Sequence, residues 1–137
     1  MEDPTIIELI FELQKKCSAE IDKFIDDLGI SQAEYNMFIC LKNCKHFNSY
    51  SVADKMNLSL SRVSRIIDKM VSKGFLNRTT NKLDRRAIDI KITPKGKTVH
   101  NKIVLFIGER EENIVNQLKE NEIEDMKNSF TKLINLS

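Results

Sequence analysis

Apolar residues recur near the start of the chain at Ile6, Ile10, Leu13, Cys17, Ile21, Phe24 and Leu28. Steps of three and four keep them on one helical stripe through about six turns. Pro4 suits the start of this helix and Gly29 its stop. The stripe is narrow and its flanks are polar, the pattern of a helix that packs on a partner as well as on its own domain. Ser31-Gln32-Ala33-Glu34 has the spacing of a capping box, which predicts a second helix with Tyr35, Phe38 and Leu41 inward. That pattern fades between Asn43 and Asn48. Ser51 is placed to cap a short third helix ending at Met56, with Val52, Ala53 and Met56 inward. Asn57 follows, a residue type that tolerates a left-handed turn. Ser59 then caps a fourth helix with a buried stripe of Leu60, Val63, Ile66, Ile67 and Met70, closed by Gly74.

Two short helices joined by a tight turn describe a helix-turn-helix. The periodicity then changes. Phe75 to Thr79 reads as a strand, and Ala87 to Ile92 alternates strictly, with three isoleucines on one face. The polar, basic stretch from Thr80 to Arg86 between them makes a hairpin with a charged tip, a wing. Thr93-Pro94 opens a fifth helix whose stripe runs through Val99, Ile103, Phe106, Arg110, Ile114 and Leu118. Gly108 inside it is a candidate bend. Asn121 with Glu124 is placed to cap a last helix bearing Ile123, Met126, Phe130, Leu133 and Ile134. The predicted fold is mainly α with a small β-wing. A winged helix-turn-helix lobe over 31–98 is flanked by helices in 1–30 and 99–137. Those flanks carry more apolar stripe than one small winged domain covers, and pairing with a second copy is the commonest way to bury the excess.

Charge sharpens this picture once it is divided by segment. The net value is only +2 over 137 residues. Residues 1–50 hold five Lys/Arg against nine Asp/Glu, residues 51–100 twelve against four, and residues 101–137 five against seven. A basic middle between acidic ends marks a module that meets a polyanion at its centre. Ser61, Arg62, Ser64 and Arg65 crowd the first turns of the fourth helix. They are hydroxyls and guanidinium forks, the groups that read base edges and phosphates. Apolar runs such as residues 103–107 fall far short of the ~20 residues that cross a bilayer. The acidic start lacks the features of a signal peptide, so the expected compartment is the cytoplasm, with no membrane contact. Three cysteines at this length read as reduced thiols. No Gly-rich phosphate loop, HExxH, GxSxG or Cys/His nucleophile pair is present, which argues against an enzyme. No cofactor is implied.

From Ser51 to Gly96 the chain resembles the MarR family of winged helix-turn-helix transcriptional regulators. The residues that carry the resemblance are Val63-Ser64-Arg65, Ile67-Asp68, Lys73-Gly74-Phe75-Leu76, Asp84-Arg85-Arg86 and Ile92-Thr93-Pro94-Lys95-Gly96. The layout of the whole chain agrees. Ile92 stands where the family usually has Leu, and the chain is slightly short for it. The resemblance implies a single MarR-type domain over 1–137 in a homodimer on pseudopalindromic double-stranded DNA. It implies a repressor released by a small ligand or by oxidation.

On this reading the fourth helix enters the major groove. Arg62 and Arg65 serve as guanine or phosphate contacts, and Ser59, Ser61 and Ser64 make lighter ones. By the family match, Arg86 is the side chain that enters the minor groove. Asp84 holds an arginine in place. Lys82, Arg85, Arg78 and Lys55 neutralise phosphates. Arg65 has a rival reading as a structural partner of Asp68, and Asp89 and Lys91 read as the outer strand face. Cys17 reads as a small buried hydrophobe in preference to a peroxide-sensing thiol, since only Lys15 and Lys16 are basic neighbours close enough in sequence to activate it. Cys40 and Cys44, with His46 nearby, could form a soft-metal or redox site, but buried filler is favoured because metal sites need three or four ligands. His46 and His100 read as surface residues. Alternatives are a thiol-based redox regulator of the same fold and a winged-helix module that meets protein or RNA.

Overall fold

The computed structural model describes residues 2–42 and 47–136. Cys44 and His46 lie outside the described residues, and with them most of the grouping around Cys40. The element order is α1 (Ile6–Leu28), α2 (Gln32–Lys42), α3 (Ser49–Met56), α4 (Leu60–Ser72), β1 (Leu76–Thr80), β2 (Ile88–Ile92), α5 (Pro94–Val115) and α6 (Glu120–Ile134). The protein is mainly α with a small β-wing. It forms two compact units, one up to His100 and one from Asn101 onward. No helix among the described residues is long and apolar enough to cross a membrane.

Local chemistry explains the boundaries in the first unit. Thr5, not Pro4, caps α1. Its hydroxyl accepts from the Glu8 N–H at 3.1 Å, and the Glu8 carboxylate accepts from the Thr5 N–H at 2.7 Å. Pro4 has no N–H to give and sits outside the helix. Gly29 ends α1 with φ +71°, a conformation that Cβ penalises. Ser31 and Glu34 form the expected box at the start of α2. The third helix starts earlier than its serine suggested: Asn48 is the cap, its side-chain oxygen accepting from the Ser51 N–H at 2.9 Å. Ser51 is the third residue of the helix and returns a bond to the Asn48 N–H. Asn57 takes the left-handed turn with φ +54°, and Ser59 caps α4.

The core of this unit gathers one stripe from each short helix and one face of the hairpin. Met37 and Phe38 of α2, Val52 of α3, and Val63, Ile67 and Met70 of α4 are buried beneath Phe75, Leu76, Ala87 and Ile90. Phe38 meets Phe75 with ring centroids 5.6 Å apart. Met56, Leu60 and Ile66 are only half-buried. β1 and β2 pair antiparallel from Leu76 with Ile92 to Thr80 with Ile88. The hairpin is tied to α3 by an N–H from Ile88 to the buried Ser49 hydroxyl at 2.9 Å, and to the segment just before that helix by one from Ile90 to the Phe47 carbonyl at 2.8 Å. His100 is half-buried, not a surface residue. Its ring lies 6.4 Å from that of Phe38, and burial, with Lys42 and Lys97 nearby, lowers its pKa.

The first half of α1 behaves differently: Ile6, Ile7, Leu9, Phe11 and Leu13 are all exposed, and Ile25 is the buried residue of the helix. Cys17 is exposed too, against the expectation of a buried filler, whereas Cys40 is buried.

In the second unit, α5 continues through Gly108 as regular helix. The Arg110 guanidinium sits over the Phe106 ring at 5.4 Å. α6 begins at Glu120. Its entry bond is from the Lys119 N–H to the Glu122 carboxylate at 3.0 Å, so the cap falls before Asn121. Phe130, Leu133 and Ile134 are exposed on α6.

Candidate nucleic-acid interface

The turn between α3 and α4 sets which side chains α4 offers to solvent. Ser59 lies at its N-cap, where the hydroxyl accepts from the Arg62 N–H at 3.2 Å and pairs with the Ser61 hydroxyl at 3.3 Å. That hydroxyl is engaged in holding the helix end. Ser61, Arg62 and Arg65 are exposed on the first two turns, while Ser64 is half-buried and faces away from full solvent. The opposite face carries Val63, Ile67 and Met70 into the core. One stripe therefore anchors the helix while the other presents hydroxyls and guanidiniums.

Arg65 is not the partner of Asp68. Arg78 of β1 makes that ion pair, which ties the hairpin to the middle of α4 and gives Arg78 a structural role in place of a free phosphate contact. A pair between a buried acid and an exposed base fixes the other end of α4. The Glu34 carboxylate accepts from Lys73 Nζ at 2.7 Å and from the Ser31 N–H at 2.9 Å, and Lys73 also reaches the Gly29 carbonyl. Burial pushes the Glu34 pKa up, but Lys73 and the Ser31 donors outweigh it and the net shift is downward.

The step from α4 into the hairpin explains the Thr-Pro-Lys-Gly motif. The Thr93 hydroxyl donates to the Gly74 carbonyl at 2.5 Å and accepts from the Gly96 N–H at 3.0 Å. Lys95 reaches the Lys73 carbonyl at 2.8 Å and lies over the Phe75 ring. A Cβ on Gly96 would sit 2.1 Å from the Phe75 carbonyl oxygen, so only glycine lets α5 start this close to the end of α4.

The wing tip is built from nested side-chain turns. The Asn81 side-chain oxygen accepts from the N–H groups of Leu83 at 2.8 Å and Asp84 at 3.0 Å. Its amide donates to Asp89 at 3.1 Å, so Asp89 secures the wing loop and is not merely an outer strand residue. Asp84 accepts from the Arg86 N–H at 3.0 Å, with the Arg86 Nε at 3.7 Å. That backbone bond chiefly, with help from the Tyr50 hydroxyl and the Arg86 charge against some burial, holds the Asp84 carboxyl below its usual range. Lys82, Leu83, Arg85 and Arg86 are exposed around this frame. Asn81, Tyr50 and Ser49 escaped the sequence reading. The Asn81 spacing to Leu83 and Asp84 was a detectable turn signal, but the roles of Tyr50 and Ser49 depend on contacts across more than thirty residues.

Comparison with known proteins agrees with this geometry. Residues 30–88 match the MarR family model. The HTH-type transcriptional regulator SarZ of Staphylococcus epidermidis is 21% identical over 127 residues, covering 90% of this chain and 85% of SarZ. The HTH-type regulator YhjH of Bacillus subtilis is 32% identical over 71 residues, covering 52% of this chain and 41% of YhjH. The chain thus spans about two fifths of that relative's length. Among solved structures, S. aureus MepR in a complex with DNA is similar with a TM-score of 0.85 at 20% identity, covering 97% of this chain and 98% of MepR. A MarR regulator from Methanosarcina mazei gives a TM-score of 0.79 at 22% identity, covering 95% and 94%. The helix-turn-helix, the wing and the Thr-Pro-Lys-Gly junction agree with these matches: residues 30–88 carry the MarR family pattern, and the chain as a whole shares the winged-helix fold of the solved MarR and MepR structures.

Proposed function

We propose that the chain is a homodimeric repressor that binds double-stranded DNA at a pseudopalindromic operator. One observation carries the reading: Ser61, Arg62 and Arg65 stand exposed on α4, and the same lobe presents a wing whose Arg86 backbone is pinned by Asp84. Residues 31–98 form the DNA-binding lobe on this reading. Arg62 and Arg65 read the major groove, with Ser61 beside them and Ser59 and Ser64 in lesser roles. Arg86 enters the minor groove. Lys82 and Arg85 neutralise phosphates.

Residues 1–30 and 99–137 would join two copies. The support is the exposed apolar surface of α1 and α6, where Ile6 is 72% and Leu133 50% exposed in the single chain. Surface of that kind is stable in water when a partner covers it. Two lobes would then meet half-sites about one helical turn apart. Release by a small ligand is what the resemblance to the MarR family suggests. A second reading, release by oxidation, draws on the exposure of Cys17, which leaves its thiol within reach of peroxide.

The test is affinity for a duplex enriched by the full chain from a random pool. Arg62→Ala and Arg86→Ala should each weaken binding by roughly 1–3 kcal/mol while leaving the far-ultraviolet circular dichroism unchanged. The logarithm of affinity should fall with that of salt by about 0.9 per phosphate neutralised. A chain that enriches no sequence and binds duplexes without salt dependence is not a DNA-binding regulator, and a protein or RNA partner takes over. Loss of affinity under peroxide in the wild type but not in Cys17→Ser favours the oxidation reading.

A further inference from the structure

The wing carries one side chain that neither its charge nor its fold accounts for. Leu83 is 99% exposed, the most exposed large apolar residue described, and it stands at the tip of the hairpin. It packs on nothing in the chain, so it adds nothing to the core. Yet its backbone is fixed: the Leu83 N–H donates to the Asn81 side chain, and Asn81 is anchored in turn on Asp89. A rigid turn therefore holds an isobutyl group outward at the apex. Lys82 precedes it, and Asp84, engaged by the Arg86 N–H, follows, with Arg85 and Arg86 exposed beyond.

Cations surround the apolar tip, and the matching surface is one that is anionic at its rims and apolar between them. The minor groove of duplex DNA has that character. Phosphates line its edges, deoxyribose faces form its walls, and its width of about 6 Å admits one side chain of this size. Apolar wedges beside basic residues are a general means of gripping this groove.

We propose that Leu83 is a minor-groove contact, packing its side chain against the deoxyribose walls while Lys82, Arg85 and Arg86 engage the charge around it. The proposal rests on the DNA-binding reading and extends it by a residue whose contribution is apolar. Its contribution therefore separates from that of the cations by salt dependence. An arginine that loses its phosphate flattens the salt response, whereas a lost sugar contact leaves the slope alone.

The experiment uses the full chain and the duplex that it enriches from a random pool, with affinity read by fluorescence anisotropy across a salt series. Leu83→Ala should bind about tenfold more weakly at every salt concentration, with the wild-type slope. Leu83→Met, which restores the apolar volume, should bind within about threefold of wild type. Melting temperature should not move in either variant, because the side chain is fully exposed. Wild-type affinity in Leu83→Ala, alongside a loss in Arg86→Ala, would overturn the Leu83 contact and leave the DNA reading standing. A weakened Leu83→Ala whose salt slope also falls by about one would overturn it too, since the loss would then lie in displaced cations. A wild-type chain that enriches no duplex would sink the DNA reading itself.

Discussion

α1 and α4 carry the same kind of pattern, an apolar stripe at helical spacing between polar flanks, and meet opposite fates. In α4 the stripe is buried to the last atom at Val63, Ile67 and Met70, because α2, α3 and the hairpin close over it. In α1 the stripe is half-covered only towards its end, at Ile21, Phe24 and Leu28 beside the buried Ile25, while Leu13 remains 56% exposed and Phe11, next to the stripe, 57%. Periodicity states that a helix has a face to cover; it does not state what covers it. Where the cover comes from the same lobe, the helix is a structural post. Where the lobe supplies none, the face is left for another surface.

Three substitutions press on that difference. The largest effect belongs to Ile67→Ala. It empties a fully enclosed site and should cost about 2–5 kcal/mol of unfolding free energy, read from urea denaturation. A loss below about 1 kcal/mol would mean that the α4 stripe is not the post described.

Glu34→Gln comes next. It removes the carboxylate that holds Lys73 and should cost about 1–3 kcal/mol near neutral pH, since the partner ammonium stays partly in water. The Glu34 pKa is lower in the folded chain than in the unfolded one. The unfolded state therefore binds more protons, and stability rises with pH through the interval between the two values. The carboxylate's contribution is fully present above the unfolded value of about 4.3 and is lost as pH falls through the folded one. The gap between wild type and variant should accordingly narrow in acid. A gap that is constant from pH 7 to pH 3 would contradict the ion pair.

The smallest effect on the fold, and the sharpest on the comparison, is Phe11→Glu in α1. The single chain should lose no more than about 0.5 kcal/mol, because this side chain touches so little of it. The proposed dimer should nonetheless dissociate, giving a monomer by sedimentation equilibrium and a melting temperature independent of protein concentration. An unchanged dimer would place the interface elsewhere.

Much of the winged lobe could be read from nearby residues alone. The box of Ser31 with Glu34, the left-handed Asn57, the Ser59 cap and the alternating isoleucines of β2 each involve groups a few positions apart. Two starts were misread for equally local reasons. Asn48 competes with Ser51 as the cap of α3 and wins by recruiting it as the third residue. Lys119 with Glu122 precedes Asn121 with Glu124 at α6 in the same manner. At the candidate interface, the exposed faces of α4 and the wing followed from residue type and spacing, but the partners of the charges did not. Asp68 had Arg65 three residues away on its own helix and pairs instead with Arg78 on β1 of the hairpin.

Helix spans, caps, turns and the basic middle of the chain were settled by the order of residues, because each arises from interactions within about one turn of backbone. Which apolar stripe is sealed, which acid holds which base, and which side chain is left standing at the wing tip were settled by tertiary packing. Glu34 meets Lys73, Ser49 meets Ile88, and Asn81 anchors on Asp89 only after distant segments have come together. The physical reason is range. Local conformational preference decides what a segment becomes, whereas burial and charge pairing depend on whatever segment arrives beside it.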